Sequence, residues 1–363
     1  MPILRRGAAS TPARRAFRRL LSALAIVLAS TALVLTGAPG QPSARAGSFS
    51  DVGPSIPAYD AVEFMTGAGV LSGFKDGTFK PGNTLTRGQA TKVLVLWQKV
   101  ALVTATKSSF PDVDDVYRSY VETASAKGWI TGFPDGYFRA YSTLNRQQMA
   151  IIMVRAMGWE ADAQKLSSSR VADILVQFSD RATIAAVARP YVALAVDKGL
   201  FGGYDGRFNP TQGITRAQFS LVVMRAELAL RATVQQVRFA CDYTDKTRVV
   251  VDLSKAPGAV TAAISSDGIL SVDFTEGAIA GTLTQAVAAS PEVTSVTARQ
   301  GAYDPRTVRL SFDLGRYQRF RVMSLAPSDG RGYRIVVDVF RRTDGPDGDG
   351  PPLICIDPGH GGT

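Results

Sequence analysis

Histidine and cysteine are nearly absent from this 363-residue chain, which has one histidine, His360, and two cysteines. Two cysteines are too few for a zinc site made of thiolates. One histidine alone cannot hold a catalytic zinc ion, which needs about three protein ligands. Because Cys241 and Cys355 fall in segments that we interpret as different domains, we expect two unpaired, half-buried thiols, although an exported protein could form a disulfide.

Acidic residues are also missing from the N-terminal segment, where the first one is Asp51. Seven arginines precede residue 47, and subtracting them from the formal net charge of +10 leaves +3 for the rest of the chain. This remainder contains no evident stripe of alternating basic and aromatic residues, so a nucleic-acid partner is not expected. The composition, with 45% apolar and 20% charged residues, is typical of a globular protein with two or three domains.

The N-terminal arginines are followed by an apolar stretch at 20–35 and by the small-x-small sequence Ala44-Arg45-Ala46. This order predicts a secretory signal peptide over 1–46, with cleavage before Gly47. An uncleaved anchor is the alternative, although the apolar core is shorter than the about 20 residues that usually span a bilayer. No comparable apolar segment follows, so we expect an exported protein that meets the membrane only through this segment.

One pattern then occurs three times, and each copy has a Phe-x-Asp step, an amphipathic segment, an Asp-Gly pair and a later arginine. Periodic self-similarity of this kind predicts a repeat architecture, here a helix, a turn-rich loop and a second helix per copy. The Phe-x-Asp aspartates are Asp51, Asp112 and Asp180, the Asp-Gly aspartates are Asp76, Asp135 and Asp205, and the arginines are Arg87, Arg146 and Arg216.

Each second helix is expected to start at the arginine, because Thr86, Asn145 or Thr215 stands before it and a glutamine lies three positions after that residue. Such pairs form capping boxes at helix N-termini. An arginine at the first helical position is unfavourable, since this end of the helix dipole is already positive. Two interpretations stay open and are compatible: the arginine belongs to an anion site, or it pairs with a Phe-x-Asp aspartate.

These motifs resemble the S-layer homology (SLH) repeat over roughly residues 48–230, with copies at 47–105, 106–165 and 174–231. The resemblance implies an α-rich bundle with pseudo-threefold symmetry, whose inter-repeat grooves bind anionic secondary cell-wall polysaccharide. It also implies that the three arginines and, less directly, the six aspartates take part in binding the polymer. The chain departs from the family pattern by having glutamine in place of the glutamate after Thr-Arg-Ala, and by one missing loop residue before Asp205.

A β-rich segment follows at 233–342, where strands are predicted at 247–254, 269–274, 306–315 and 333–340. Asp252 and Asp313 are 61 residues apart and Asp273 and Asp338 are 65 apart, which predicts two similar halves in a small β-sandwich. We expect these aspartates at strand ends or edges. The segment resembles the amidase N-terminal (AMIN) domain, which implies binding to peptidoglycan.

The C-terminal residues comprise a Gly-, Pro- and Asp-rich linker at 343–352 and an apolar strand that opens 353–363. The sequence Ile-Asp-Pro-Gly-His-Gly-Gly resembles the first motif of zinc-dependent N-acetylmuramoyl-L-alanine amidases, in which this histidine binds zinc. The resemblance implies the first strand of an α/β catalytic domain, with His360 as one ligand and the others beyond Thr363. The chain is thus predicted to be an inactive targeting part of an amidase, or alternatively a non-catalytic S-layer or envelope tether.

Overall fold

The computed structural model describes residues 49–341, apart from 288–289, 291, 304–305, 316 and 329, together with the backbone of 354–357. The predicted signal peptide at 1–46, the linker at 343–352 and His360 lie outside the described residues. Among those that are described, no helix is long and apolar enough to cross a membrane. The helices are α1 Tyr59–Gly67, α2 Arg87–Trp97, α3 Arg118–Ala126, α4 Arg146–Ala156, α5 Glu160–Lys165, α6 Ser168–Leu175, α7 Arg189–Asp197 and α8 Arg216–Leu230.

Each repeat contributes two helices, which are α1 and α2, α3 and α4, and α7 and α8. The second helix starts at the arginine in all three copies, and the capping boxes at Thr86, Asn145 and Thr215 are complete. The first helix is followed by a glycine with positive φ, as at Gly69 (φ 69°), where glycine has no steric penalty. The predicted start of the second helix is therefore confirmed in all three repeats.

The three repeats close into a ring through the residue that lies two positions before each arginine. Leu85 N–H donates to the carbonyl of Ile214, Ile214 N–H to that of Leu144, and Leu144 N–H to that of Leu85, at 3.1, 2.9 and 2.9 Å. All three side chains are buried in one continuous apolar core. This cycle means that the third repeat packs against the first, as a pseudo-threefold arrangement requires.

Two helices between the second and third repeats were not predicted. Ser167 caps α6 through its hydroxyl, which accepts from Arg170 N–H at 3.2 Å. Val171, Ile174 and Leu175 from this helix are buried in the core of the bundle. The spacing of these three residues after a serine cap was the available signal for the helix.

Two five-stranded sheets follow α8 directly, in the orders β1-β2-β9-β8-β10 and β3-β4-β7-β6-β5. Their inner faces share one apolar core that is separate from the core of the bundle. We call residues 232–341 the β module. The strands are β1 Val234–Ala240, β2 Lys246–Leu253, β3 Val260–Ile264, β4 Ile269–Thr275, β5 Thr282–Ala286, β6 Val293–Tyr303, β7 Arg306–Leu314, β8 Tyr317–Leu325, β9 Tyr333–Arg341 and β10 Ile354–Asp357.

The two predicted halves interlock, because each sheet pairs one strand from each half at its centre. β2 pairs with β9 in one sheet, and β4 pairs with β7 in the other. The expectation of aspartates at strand ends or edges is only partly right. Asp252 and Asp313 are next to last in their strands, whereas Asp273 and Asp338 lie within inner strands.

Asp273 and Asp338 each face an arginine on the neighbouring strand. Asp338 accepts two hydrogen bonds from Arg248 at 2.6 and 2.7 Å, and Asp273 accepts two from Arg309 at 2.8 and 2.7 Å. The two pairs are directly opposite in the strand register. They occupy matching places in the two sheets, which supports the predicted relation between the halves.

The strand predicted at the start of 353–363 is present as β10. It pairs in parallel with β8, with Ile354 opposite Phe320 and Asp357 opposite Met323. In this structure it therefore extends a sheet of the β module, and its assignment to a separate catalytic domain stays a prediction.

The bundle and the β module are joined by a buried carboxylate, Glu227 of α8, which is 1% exposed. Trp97 Nε1 donates to Glu227 Oε2 at 2.6 Å, and Arg231 Nε donates to Glu227 Oε1 at 3.1 Å. Arg306 of β7 is 4% exposed and forms an ion pair with the same carboxylate. Arg306 Nη2 also donates to the carbonyl of Trp97 at 3.3 Å, so side chains from both regions form one buried cluster.

Candidate functional site

The Phe-x-Asp aspartates hold the turn-rich loop of their own repeat. Asp51 accepts from the backbone N–H groups of Phe79 and Lys80, both at 2.7 Å. Burial raises the pKa of Asp51, but these two hydrogen bonds outweigh that effect, so the pKa is lowered. Asp112 and Asp180 make the same pair of contacts to the second and third loops.

These contacts fix an unusual backbone conformation at the second donor in each repeat. Lys80, Arg139 and Asn209 have φ of 56°, 61° and 56°, in the left-handed region that residues other than glycine rarely adopt. Each of the three donates its N–H to a Phe-x-Asp carboxylate, and this hydrogen bond stabilises the strained turn. The aspartates therefore shape the loop that forms one wall of each inter-repeat groove.

The Asp-Gly aspartates are not equivalent in the three copies. Asp76 accepts from Thr78 N–H at 3.1 Å and pairs with Lys80, and the hydrogen bonds from Thr78 lower the pKa of Asp76 to about 2. Asp135 makes the corresponding contact to Tyr137 N–H at 3.1 Å. Asp205 instead has φ of 50°, because the missing loop residue leaves a two-residue hairpin turn with positive φ at both positions.

The three arginines are buried and connect each repeat to the next. Arg146 Nε donates to the carbonyl of Phe208 at 2.7 Å, and its Nη2 donates to that of Gly202 at 2.8 Å. Its guanidinium lies 5.0 Å from the ring centroid of Phe208. Arg87 makes the matching contacts with Phe138 and Thr131 of the second repeat, and Arg216 with Phe79 and Ser72 of the first.

The anion-site interpretation of these arginines stays a prediction, and their pairing with the Phe-x-Asp aspartates is at most indirect. No described ion pair joins an arginine to a Phe-x-Asp aspartate, yet the two meet indirectly, since Phe208 donates to Asp180 and accepts from Arg146. Burial lowers the pKa of all three arginines, and that of Arg87 falls to about 10. The helix N-terminus is also occupied, because Arg146 N–H donates to the carbonyl of Gln212 at 3.0 Å.

One inter-repeat groove lies between the second and third repeats, and we call it groove 2/3. It encloses about 390 Å³ and is lined by Arg146, Gln218, Arg225 and the loop around Tyr204, which is 83% exposed. Arg225 has an exposed side chain whose Nη1 donates to the carbonyl of Leu200 at 3.1 Å. None of the described residues that line this groove is acidic.

Three segments of the chain, 48–91, 109–150 and 177–220, match the family model described as the S-layer homology domain. These segments are SLH domains. Each match starts at or just before the Phe-x-Asp step and ends within the helix that begins at the buried arginine. The predicted resemblance of the repeats is thereby confirmed.

Proteins with similar sequences are surface proteins or wall enzymes by name. Cell surface glycoprotein 1 of Acetivibrio thermocellus is 28% identical over 135 residues, which cover 34% of this chain and 6% of the relative. The cellulosome-anchoring protein of that organism is 30% identical over 115 residues, covering 30% and 26%. An uncharacterized cell wall amidase of Bacillus anthracis is 30% identical over 151 residues, covering 41% and 26%.

The matches thus span about a quarter or less of the length of these relatives. The SLH domains, together with relatives that are named as surface and anchoring proteins, identify the chain as a secreted protein of the cell envelope. The predicted localisation is confirmed.

Each groove is lined by the second helix of one SLH domain, and the grooves differ at the tenth residue of that helix, nine positions after the arginine that starts it. This residue is Arg225 in groove 2/3, Arg155 in the groove between the first and second domains (groove 1/2), and Leu96 between the third and first (groove 3/1). Arg155 Nε pairs with Glu160 Oε1 at 2.9 Å, so its charge is compensated. Groove 1/2 is also smaller, at about 140 Å³.

Arg155 and Arg225 were not predicted from the sequence, although aligning the second helices of the repeats would have placed them in register. No group of three or more histidine, cysteine, aspartate or glutamate side chains that could hold a metal ion occurs among the described residues. Cys241 is a free, half-buried thiol, as expected. Cys355 lies where only the backbone is described.

Proposed function

We propose that this chain tethers its protein to the cell wall by binding acidic secondary wall polysaccharide in the grooves between SLH domains, with groove 2/3 as the strongest site. The observation that carries the proposal is the pair of arginines, Arg146 and Arg225, in a groove whose described lining has no carboxylate. Burial lowers the pKa of Arg146 and the nearby charge of Arg225 lowers it further, which means that the two cations repel each other. A bound anion would relieve this repulsion.

The two arginines have different parts in the proposed site. Arg146 uses two nitrogens for backbone carbonyls, so its main role is to hold the loop of the third domain in place. Arg225 is exposed and makes one described hydrogen bond, so it can turn donors toward a carboxylate or phosphate. Arg87 and Arg216 would act mainly by shaping the other two grooves, and the six predicted aspartates by shaping the loops of all three. Their contact with polymer stays a proposal.

The test compares Arg225→Gln with Arg155→Gln, which changes the equivalent position in groove 1/2. We expect Arg225→Gln to weaken binding of the chain to purified wall sacculi about tenfold, since a charge-assisted hydrogen bond contributes about 1.5–3 kcal/mol. The difference in affinity between wild type and Arg225→Gln should shrink as the salt concentration is raised. Arg155→Gln should have a smaller effect, because Glu160 already pairs with that arginine.

Two controls make the comparison interpretable. On sacculi stripped of their secondary polysaccharide, the Arg225→Gln variant should bind as well as wild type does. Both variants should have melting temperatures within a few degrees of that of wild type. If Arg225→Gln bound intact sacculi as tightly as Arg155→Gln does, groove 2/3 would not be the principal site.

We further propose that the β module is an AMIN-like domain that binds peptidoglycan. Two interlocking halves with matching Arg–Asp pairs support this assignment, as does its position before the Asp-Pro-Gly-His-Gly-Gly motif. A pull-down with peptidoglycan freed of secondary polymers should retain the chain. Loss of retention under those conditions would leave the SLH domains as the sole anchor.

A second proposed function is that the chain is the targeting part of an N-acetylmuramoyl-L-alanine amidase, which hydrolyses the muramic acid–L-alanine amide bond. It is supported by the motif around His360 and by the Bacillus anthracis relative that is named a cell wall amidase. Zinc does not fit the residues present, since His360 is the chain's one histidine and the described residues offer no ligand cluster. Catalysis would therefore need residues after Thr363.

The sequence of the gene beyond codon 363 separates this second function from a non-catalytic tether. An open frame encoding a further histidine and two glutamates over roughly one domain would support the amidase. A stop codon at that place would leave tethering as the function of the whole protein.

A further inference from the structure

The β module has a strongly cationic outer face on one of its two sheets. Strand alternation on β1, β2, β9 and β8 places six cations and two carboxylates away from the core, an excess of four positive charges. The outer face of β3, β4, β7 and β6 has two cations and two carboxylates, so its charge is balanced. The first face carries Arg238, Lys246, Arg248, Arg319, Arg321 and Arg334 with Asp252 and Asp338, and the second Arg299 and Arg309 with Asp273 and Asp313.

The matching of the two sheets shows that the extra cations are not required by the fold. Arg321 lies opposite Asp338 in one sheet, and Thr261 lies opposite the matching Asp273 in the other. Lys246 is 61 residues before Thr307, the spacing that also relates Arg248 to Arg309. A sheet of this design therefore forms with threonine at both places. Lys246 pairs with Asp338 at 3.4 Å, whereas Arg319 and Arg321 are exposed on the same face.

Two aromatic rings lie among these cations. Tyr243 is 38% exposed, and Lys246 Nζ lies 4.9 Å from its ring centroid. Phe340 has Arg319 at 4.5 Å and Lys246 at 5.3 Å from its ring centroid. Arg319 forms no ion pair with a carboxylate among the described residues. Cations held beside flat apolar rings suit a ligand that combines negative charge with a ring having an apolar face.

We propose that this face binds an acidic wall glycan, a polymer with carboxylate or phosphate groups on its sugar rings. Arg319 and Arg321 contact the acidic groups, while Tyr243 and Phe340 pack against sugar rings. The site is separate from the SLH grooves. A secreted envelope protein meets such polymers, and their repeating charge matches a face that is cationic over several strands.

The sequence alone does not reveal this face. The contributing residues come from 243–248, at the start of β2, and from 319–321 and 340 on β8 and β9, which follow much later in the chain. The strand register brings them together on one surface.

The experiment measures binding of the full chain to polygalacturonate, which has a carboxylate on every ring, and to uncharged dextran. Arg319→Gln/Arg321→Gln should bind polygalacturonate about tenfold more weakly than wild type, as expected for the loss of two exposed charge contacts. Arg299→Gln, on the outer face of the other sheet, should change binding by less than about twofold. Dextran should bind neither protein measurably.

The Arg225→Gln variant tests whether the cationic face and groove 2/3 are separate sites. If Arg225→Gln weakens binding to sacculi, while Arg319→Gln/Arg321→Gln still weakens binding to polygalacturonate, the two sites are distinct, as proposed. Equal effects of Arg319→Gln/Arg321→Gln and Arg299→Gln on polygalacturonate would overturn the proposal. Tighter binding to vesicles of anionic phospholipid than to polygalacturonate would also overturn it, since the face would then fit a membrane surface.

Discussion

The SLH bundle and the β module both contain internal repeats, but they use their recurring charges in different ways. In the bundle, Arg87, Arg146 and Arg216 are buried and connect neighbouring copies through backbone carbonyls. In the β module, the recurring arginines pair with aspartates across strands on the outer faces. In both regions, the charges that recur stabilise the fold. The binding chemistry is proposed where the copies differ, at Arg225 and Arg321.

The largest effect is expected at the boundary between the two regions, where Glu227→Gln would leave Arg306 buried without its carboxylate. Removing one partner of a buried ion pair costs about 3–5 kcal/mol of unfolding free energy. Urea denaturation followed by tryptophan fluorescence and far-UV circular dichroism should show this loss and a split into two transitions. Glu276→Gln, which changes an exposed partner of Arg231, should cost less than about 1 kcal/mol. A single unshifted transition in Glu227→Gln would mean that this carboxylate does not hold the two regions together.

A somewhat smaller effect is expected from Arg146→Ala, which cuts the connection between the second and third SLH domains. Two charge-assisted hydrogen bonds and the packing on Phe208 are lost, so we expect a cost of about 3 kcal/mol in unfolding free energy. Arg146→Lys should recover little, because an ammonium group does not bridge two carbonyls in the way a guanidinium does. Thermal unfolding of both variants measures this. Stability like that of wild type in Arg146→Ala would refute the structural role.

In the β module, Asp338→Asn should cost about 2 kcal/mol at neutral pH and should flatten the acid limb of the stability profile. Burial raises the pKa of Asp338, but hydrogen bonds and charge from Arg248 and Lys246 outweigh it, so the folded-state pKa is lowered. The stabilisation is therefore fully present above the unfolded pKa of about 3.9 and is lost as pH falls through the folded pKa. Denaturation curves between pH 2 and about 7 test whether the unfolding free energy of wild type falls more steeply at low pH than that of Asp338→Asn.

The smallest effect is expected for Asp273→Asn, which changes the matching pair in the other sheet. Asp273 and Arg309 are more exposed than Asp338 and Arg248, with side-chain exposures of 24% and 41% against 3% and 31%. We expect a cost of about 0.5–1 kcal/mol. A double-mutant cycle with Arg309→Gln measures the pair directly. A coupling energy as large as that of Arg248 and Asp338 would show that the greater solvent exposure of Asp273 and Arg309 does not weaken their pair.

Local signals in the sequence were sufficient for the helices that begin at Arg87, Arg146 and Arg216 and for the four strands with dense β-branched residues. These elements are determined by neighbours within a few positions, such as the capping pair of Thr86 and Gln89. Strands β1, β3, β5, β6 and β8 were not predicted, because tertiary pairing rather than local composition stabilises them.

The candidate site was predictable only in part, because its geometry depends on contacts between distant residues. The motif arginines could be identified from the repeats, but their carbonyl partners lie 44 to 144 residues away. The difference in charge between groove 2/3 and groove 1/2 depends on Glu160, which pairs with Arg155 from a helix that was not predicted. Pattern reasoning finds the recurring residues, whereas the difference between grooves needs the fold.

The closed ring of Leu85, Leu144 and Ile214 has a consequence for the timing of export. The first SLH domain lacks a partner for the carbonyl of Ser72 until Arg216, 144 residues later, has been made. At about 5–20 residues per second, this delay is on the order of ten seconds. During that interval the nascent chain cannot complete a stable bundle, so we expect it to remain unfolded long enough for a translocation channel to accept it. Folding would then be completed outside the cell, where the wall polymer is found.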